Sequence, residues 1–164
     1  MQIYVPVTLA MLQRLVTDGS LMPLNGTAFA VTPRLREAYA HGDDDELGEV
    51  ALREAALASL RLLAAADDEL PPRRAVLVAN VGDVTLRPDL DDAVVRIGAP
   101  VTIDDVVAAF VDNADAEADV TAAIAVIDEA DLGDEDAELT VGDAQDHDLA
   151  WYATQELPFL LELL

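Results

Sequence analysis

The chain has 164 residues and a formal net charge of −24, because 33 acidic residues outnumber nine basic ones, all of them arginine. A charge of this size repels nucleic acids and anionic lipids, whose binding depends on basic side chains, so neither is expected as a partner. The sequence contains no cysteine, which excludes disulfides, thiol catalysis and thiolate metal sites.

The length is most simply that of a single globular domain over residues 1–164. No apolar segment approaches the roughly 18 residues that a membrane span needs, and the N-terminus MQIYVPVTLAM has no basic leader before its apolar run. A cytoplasmic protein is therefore predicted. The acidity has two explanations that both stay open, namely the codon usage of a high-GC genome and adaptation to a high-salt cytoplasm.

Five segments have the β-branched and apolar composition of strands, namely 2–7, 27–31, 75–81, 93–97 and 107–111. Pro6 places the first strand at an edge of the sheet or marks a strand end, whereas AVLVANV is apolar enough for a central strand. A little strand near 84–86 is also considered. Strands interleaved with five or six helices predict an α+β (or α/β) fold, with a single mixed sheet of four or five strands covered by helices.

The predicted helices begin at capping signals and cover 9–17, 33 to about 41, 44 to about 66, a segment after Asn113, and the C-terminal stretch 146–164. Thr8 and Thr32 are predicted N-caps, and Gly19 is predicted to end the first helix. Thr102 with Asp105 gives a weak capping-box signal for one helical turn. The acidic segment 128–146 is expected to form a loop or short helical turns.

The C-terminal stretch, DHDLAWYATQELPFLLELL, holds the only tryptophan and one of the two histidines. At roughly 100° per residue, a helix here has an aliphatic face and an opposite face that carries His147, Trp151, Tyr152 and Gln155. Two interpretations remain open. In the first, both faces of the helix pack against the protein, and His147 contacts Trp151 at i,i+4 spacing. In the second, the aromatic and polar face lines a groove or a subunit contact. Pro158 is expected to kink the helix.

No catalytic motif emerges, because HExxH, Walker, GxGxxG and GxSxG patterns are all missing from the sequence. His147 with Asp148, Tyr152 or Glu156 could carry out acid–base chemistry, although a structural histidine explains the same pattern. Arg34 and Arg36 could receive an anion near a helix N-terminus, although salt bridges to neighbouring carboxylates explain them better. The candidate ligand-binding or interaction residues are His147, Trp151, Tyr152, Gln155, Glu156, Arg34 and Arg36.

Acidic clusters suggest cation sites but fail the spacing test. With Gly133 at the sixth position of an EF-hand loop, Ala130 and Leu132 stand where oxygen ligands belong. The aspartates at 43–45 precede a helical pattern, and carboxylates there complement the helix dipole. No metal, no cofactor and no catalytic residue is therefore predicted.

Several segments together resemble an uncharacterised actinobacterial family of about this length, namely YVPVTL, TAFAVTPRLREAY, AALASLRLLAA, GDEDAEL and the C-terminal stretch. The resemblance spans essentially the whole chain and implies an actinobacterial, cytoplasmic origin. The family has no activity, fold or ligand that could be carried over to this chain.

The sequence thus favours a small acidic interaction protein without catalytic activity, with self-association through the C-terminal aromatic helix as one version. A homodimer or another protein is the expected partner. The alternative is a small-molecule sensor or enzyme with a pocket beside that helix, in which His147, Tyr152 and Glu156 supply polar groups and Trp151 forms a wall.

Overall fold

The computed structural model describes residues 1–39 and 41–164, which form six α-helices and nine β-strands. The helices are α1 (Leu9–Asp18), α2 (Pro33–Ala38), α3 (Asp44–Ala65), α4 (Glu117–Asp131), α5 (Glu135–Gln145) and α6 (Leu157–Glu162). The strands are β1 (Gln2–Val7), β2 (Ser20–Leu21), β3 (Thr27–Phe29), β4 (Ala75–Asn80), β5 (Val84–Leu86), β6 (Val94–Ile97), β7 (Val101–Thr102), β8 (Val106–Val111) and β9 (Ala150–Ala153).

Seven of the described strands form one antiparallel sheet in the order β5-β6-β3-β1-β4-β8-β9, and β2 pairs with β7 separately. The five predicted strands are confirmed as β1, β3, β4, β6 and β8. The predicted sheet of four or five strands is an undercount, since β9 lies in a stretch with a helical pattern and the sheet also includes β5. The prediction of a mixed sheet is also wrong, because all the described strand pairs are antiparallel. The edge position offered for β1 is wrong, because β1 pairs with β3 and β4; Pro6 instead lies near the strand's end.

Two predicted N-caps are confirmed, and a third side chain caps α3 in the same way. The side chains of Thr8, Thr32 and Asp43 each accept a hydrogen bond from the backbone N–H three residues later, as expected of N-caps. Gly19 ends α1 with φ of 81°, a left-handed conformation that glycine adopts without strain. The second helix was predicted to end at about residue 41, but α2 ends at Ala38. Residue 40 lies outside the described residues.

The helices pack on both faces of the sheet. One face, with Ile3, Val5 and Leu77 in the middle of the core, lies against α1 and α6. The other face lies against α3, which packs mainly over β1, β3 and β4. α4 and α5 pack against each other and against the second half of α3, where Leu60 and Val120 are fully buried.

The segment 128–146, expected to form a loop or short helical turns, is instead the end of α4 followed by the 11-residue helix α5. Gly133, with φ of 94°, separates the two helices, and the Asp134 side chain caps the second by accepting from the Ala137 N–H at 2.9 Å. The glycine therefore marks a tight reversal and not a long loop. Asn113 was expected to cap α4, but a short 3₁₀ turn intervenes and the Asn113 side chain makes no capping bond. Within the described residues, no helix combines the length and apolarity needed to cross a bilayer.

Candidate functional site

The C-terminal stretch is not one helix, which corrects the prediction made from its periodicity. Residues Ala150–Ala153 form β9, a 3₁₀ turn follows, and α6 begins at Leu157. β9 pairs with β8, so backbone hydrogen bonding to a distant segment overrides the local helical pattern. The continuous aromatic helix that was predicted to mediate self-association is therefore not formed.

Trp151 and Tyr152 are neighbours in β9 and lie on opposite faces of the sheet, because side chains alternate along a strand. Tyr152 packs against the core beneath α1 and α6. The direct cross-strand partner of Trp151 is Phe110 of β8, which packs on the face that carries α3. Opposite side chains of an antiparallel pair lie close enough to interact. Even so, 58% of Trp151 is exposed, because β9 is the last strand of the sheet.

A groove with a volume of about 530 Å³ runs beside α3. This aromatic groove is lined by the apolar residues Tyr4, Val31, Leu52 and Phe110, and its rim carries Arg36, Asp44, Asp45 and Glu49. Gly48 lets α3 approach the sheet here, since a Cβ atom at that position would lie 3.0 Å from the Tyr4 hydroxyl. Trp151, as the partner of Phe110, extends the aromatic surface towards the free edge of the sheet.

A second cavity, with a volume of about 220 Å³, lies further along α3. This polar cavity is lined by Glu49, Leu52, Arg53 and Ala56 of α3, by Arg74, and by Gln145, His147, Asp148 and Leu149 between α5 and β9. It shares Glu49 and Leu52 with the aromatic groove. The two recesses are therefore neighbours along one side of α3.

Arg74 is the most buried charged group in the wall of the polar cavity. Its Nε and Nη2 donate to the two carboxylate oxygens of Asp112 at 2.9 and 2.7 Å. Nη1 donates to Gln145 Oε1 at 2.8 Å, and Nη2 donates also to the backbone carbonyl of His147 at 3.0 Å. Removing a guanidinium from water costs several kcal/mol unless such partners replace it. Arg74 thus joins β4, the end of β8, and the segment between α5 and β9.

His147 lies in the turn after α5, and its Nε2 is 2.7 Å from Asp119 Oδ2 of α4. Within the described residues, the carboxylate that holds the imidazole is therefore Asp119, and not the predicted neighbours Asp148 or Glu156. The predicted i,i+4 contact with Trp151 does not form, because the two residues do not share a helix. His147 does line the polar cavity.

Glu156 and Gln155 lie away from both recesses. The Glu156 carboxylate accepts the backbone N–H of Ala153 at 2.9 Å and so stabilises the turn between β9 and α6. Gln155 lines a separate cavity of about 340 Å³ together with Val16 of α1 and Pro158. The structure therefore does not bring the predicted C-terminal residues into one pocket.

Arg34 and Arg36 form the salt bridges that the sequence favoured over an anion site. Arg34 Nε lies 3.4 Å from Asp92 Oδ1, and Arg36 pairs with Asp44. All four side chains are substantially exposed, so each pair contributes about 0–1 kcal/mol. Of the two arginines, Arg36 lies on the rim of the aromatic groove, whereas Arg34 lines a small recess beside β5 and β6.

Sequence reasoning missed Arg74, Asp112 and Arg53. A signal for the first two was present, because Arg74 directly precedes a strongly apolar strand and Asp112 directly follows another. Antiparallel pairing of those strands brings the start of one next to the end of the other. An oppositely charged pair at these positions therefore points to a buried contact, provided that the two strands are known to be neighbours.

Among the residues that the structure describes, the acidic clusters do not assemble into a metal centre. Within residues 1–39 and 41–164, no group of three or more His, Asp or Glu side chains is arranged to hold a metal ion. The residues considered for an EF-hand loop instead end α4 and begin α5.

The structure defines an antiparallel α+β protein with two recesses along one helix. The chain belongs to DUF6912, a family of unknown function, whose model matches residues 1–161. This match confirms the resemblance to an uncharacterised family of about 160 residues. No curated protein and no solved structure matches the chain.

Proposed function

We propose that the protein binds a positively charged segment of a partner protein in the aromatic groove and on the adjoining surface of Trp151. The observation that carries this proposal is the Phe110–Trp151 pair, which lies on an open part of the sheet beside α3. The sequence prediction of an interaction protein is retained here, but the surface is the face of β8 and β9 and no longer a C-terminal helix.

The exposed aromatic surface supplies affinity. Trp151 is 58% exposed, and covering this exposed part would remove roughly 100–150 Å² from water, worth about 3 kcal/mol at about 25 cal/mol per Å². Tryptophan is among the residues that dominate binding energy at protein interfaces, especially beside an apolar pocket. The groove next to it provides such a pocket, with Tyr4, Leu52 and Phe110 in its wall.

The charge of the rim selects the partner. Asp45 and Glu49 form no salt bridge within the described residues, and the chain as a whole carries −24 charges. A basic segment would be attracted over a long range and would associate faster at low salt. A second copy of the chain carries the same net charge and is repelled. We therefore assign the groove to a basic, apolar segment of another protein.

The cellular setting remains the one that the sequence suggested. We propose a cytoplasmic protein of actinobacterial origin, with neither nucleic acid nor anionic membrane among its partners, because both carry the same sign of charge as this chain. The single-domain organisation over residues 1–164 is part of the same proposal.

The fluorescence of Trp151, the only tryptophan, tests the proposal directly. The probe is a short synthetic peptide of leucine and lysine, compared with a peptide in which glutamate replaces every lysine. We expect the lysine peptide to shift the Trp151 emission to shorter wavelength in a saturable manner that weakens with salt. The glutamate peptide should have no effect. Equal responses to both peptides, or no response to either, would refute the proposal.

Two triple variants distinguish the effect of the rim carboxylates on peptide binding from the effect of the net charge of the chain. Neutralising the rim with Asp44→Asn, Asp45→Asn and Glu49→Gln should weaken peptide binding at least tenfold, or by about 1.4 kcal/mol. The matched control neutralises three exposed carboxylates of α4 and α5, with the substitutions Glu129→Gln, Glu138→Gln and Asp143→Asn. An equal loss in both variants would show that only net charge matters, and would overturn the groove as the binding site.

Self-association is distinguished by light scattering. We expect a monomer at both low and high salt. A dimer that persists at high salt and is disrupted by Trp151→Ser would assign this surface to a second copy of the chain, contradicting the basic partner.

A further inference from the structure

We propose that the polar cavity binds a small zwitterion of the size of a free amino acid, which goes beyond the partner-binding function of the neighbouring groove. The cavity is small enough to be selective. Its volume of about 220 Å³ corresponds to roughly seven water molecules at about 30 Å³ each. That space accommodates a single amino acid, whereas most of a nucleotide would lie outside it.

One N–H donor of Arg74, in the wall of the cavity, has no acceptor among the described residues. A guanidinium has five N–H bonds, and within the described residues Arg74 donates four of them, to Asp112, Gln145 and His147. The remaining Nη1–H belongs to a side chain that is almost fully buried and that lines the cavity. A buried donor without an acceptor is costly, so a ligand oxygen at this position is favoured.

Arg53 supplies a second guanidinium to the same cavity. Its Nη1 donates to the backbone carbonyl of Gln145 at 3.3 Å, while the Gln145 side chain bridges back by donating to the Arg53 carbonyl and accepting from Arg74. Gln145 thereby holds the two arginines on one side of the cavity. A carboxylate, with two oxygens, matches two such donor groups better than a neutral carbonyl does.

Acceptors also line the cavity. Glu49 and Asp148 both contribute to the wall, and neither forms a salt bridge within the part of the chain that the structure describes. A ligand that carried only a carboxylate would be repelled by them, whereas an ammonium group would be attracted. Leu52, Ala56 and Leu149 complete the lining and favour a small apolar side chain on the ligand.

The probes are the standard amino acids, each added at about 10 mM in a thermal-melt panel and followed by calorimetry for those that act. We expect a small apolar amino acid to raise the melting temperature; at a hundred times its dissociation constant the rise would be roughly 5–10 °C. For the leucine series, 3-methylbutylamine lacks the carboxylate and 4-methylpentanoic acid lacks the ammonium. Both analogues should bind at least tenfold more weakly than the zwitterion.

The variants Arg53→Gln and Glu49→Gln should each weaken amino-acid binding at least tenfold. Both residues are exposed enough for the variants to fold, whereas Arg74 is a poor choice because its ion pair is buried. The controls Arg61→Gln and Glu129→Gln make the same chemical changes away from the cavity and should leave binding unchanged. The proposal is refuted if no amino acid binds at about 10 mM, or if Arg53→Gln binds as well as the parent.

Arg53 distinguishes this proposal from the partner-binding proposal, whereas Glu49 lines both recesses and does not. Arg53→Gln should leave the response of Trp151 to the leucine–lysine peptide intact, since Arg53 does not line the aromatic groove. Loss of the peptide response with amino-acid binding intact would remove the proposed function alone. Loss of amino-acid binding with the peptide response intact would remove the proposed ligand alone.

Discussion

Arg74 and Asp112 form a bidentate ion pair that is shielded from water, with the arginine side chain 2% exposed and the aspartate side chain 0% exposed. The pair joins the residue before β4 to the residue after β8. The Asp112 carboxylate also accepts the backbone N–H of Arg74 at 2.8 Å, and Arg74 O accepts the N–H of Asp112 at 3.0 Å. The side chains thereby extend the ladder between two central strands and fix the wall of the polar cavity.

Removing one member of this pair should be severely destabilising. Asp112→Asn leaves the Arg74 charge buried without a compensating carboxylate, which costs about 3–5 kcal/mol. For a chain of this length the melting temperature should fall by roughly 6–20 °C. Urea denaturation and calorimetry measure the change. Asp131→Asn is the control, because its pair with Arg61 is largely exposed and should be worth at most about 1 kcal/mol. A similar loss in both variants would contradict the assigned role of burial.

The ion pair is also an example of a contact that could not be predicted from the sequence. The five main strands and the caps at Thr8 and Thr32 follow from local composition, so they were predicted correctly. The contact between Arg74 and Asp112 depends on which strands are neighbours, and strand order is not encoded in any local pattern. The same limit applies to the aromatic groove. Tyr4 and Phe110 lie far apart in sequence, and they line one groove because β1 and β8 are the two neighbours of β4 in the sheet.

The prediction of one helix in the C-terminal stretch was wrong for a different reason. Its leucines continue at helical spacing on both sides of β9, so four residues of strand are hidden within one apparent helical face. A short apolar run is ambiguous between helix and strand by periodicity alone. What decides its structure is the free edge of β8, which offers backbone hydrogen bonds to Ala150–Ala153. Among the predicted site residues, His147 therefore lines the polar cavity and Trp151 lies beside the aromatic groove, whereas Tyr152 packs against the core.

Ser59 should be another sensitive position, because one hydroxyl serves two buried backbone groups. Its Oγ donates to the carbonyl of Val7 at 2.7 Å and accepts the N–H of Ala75 at 3.0 Å. Ser59→Ala leaves both groups without this partner and should cost about 2–4 kcal/mol. Ser20→Ala, at a less buried position, should cost less than about 1 kcal/mol. Equal stabilities of the two variants in urea denaturation would contradict the bridging role.

Gly26 should not tolerate a side chain. Its φ of +68° is strained for other residues, and a Cβ atom would lie 2.7 Å from the carbonyl oxygen of Ile97. Gly26→Ala should therefore lose about 2–4 kcal/mol of unfolding free energy, by backbone strain and by displacement of β6. Gly82 has open space around its would-be Cβ, so Gly82→Ala should be neutral or stabilising by up to about 1 kcal/mol. Comparable losses in the two melting curves would argue against this explanation.

The ionisation of Glu54 should contribute to the pH dependence of the free energy of unfolding. Partial burial on α3, reinforced by the negative charge of Asp91, raises the pKa of the Glu54 carboxyl above its ordinary value of 4.5. The folded state therefore holds this proton more tightly than the unfolded state does. Stability contributed by the protonated form is present below pH 4.5 and is lost as the pH rises through the folded pKa.

Glu54→Gln removes that ionisation, so the variant should be more stable than the parent at pH 7, and the difference should shrink as the pH falls below 4.5. Urea denaturation of both proteins across this range measures the difference. Glu129→Gln, at an exposed position of α4, controls for the general relief of charge repulsion in a chain of net charge −24. A gain at pH 7 that is no larger for Glu54→Gln than for Glu129→Gln would show that overall repulsion, and not the burial of Glu54, accounts for the effect.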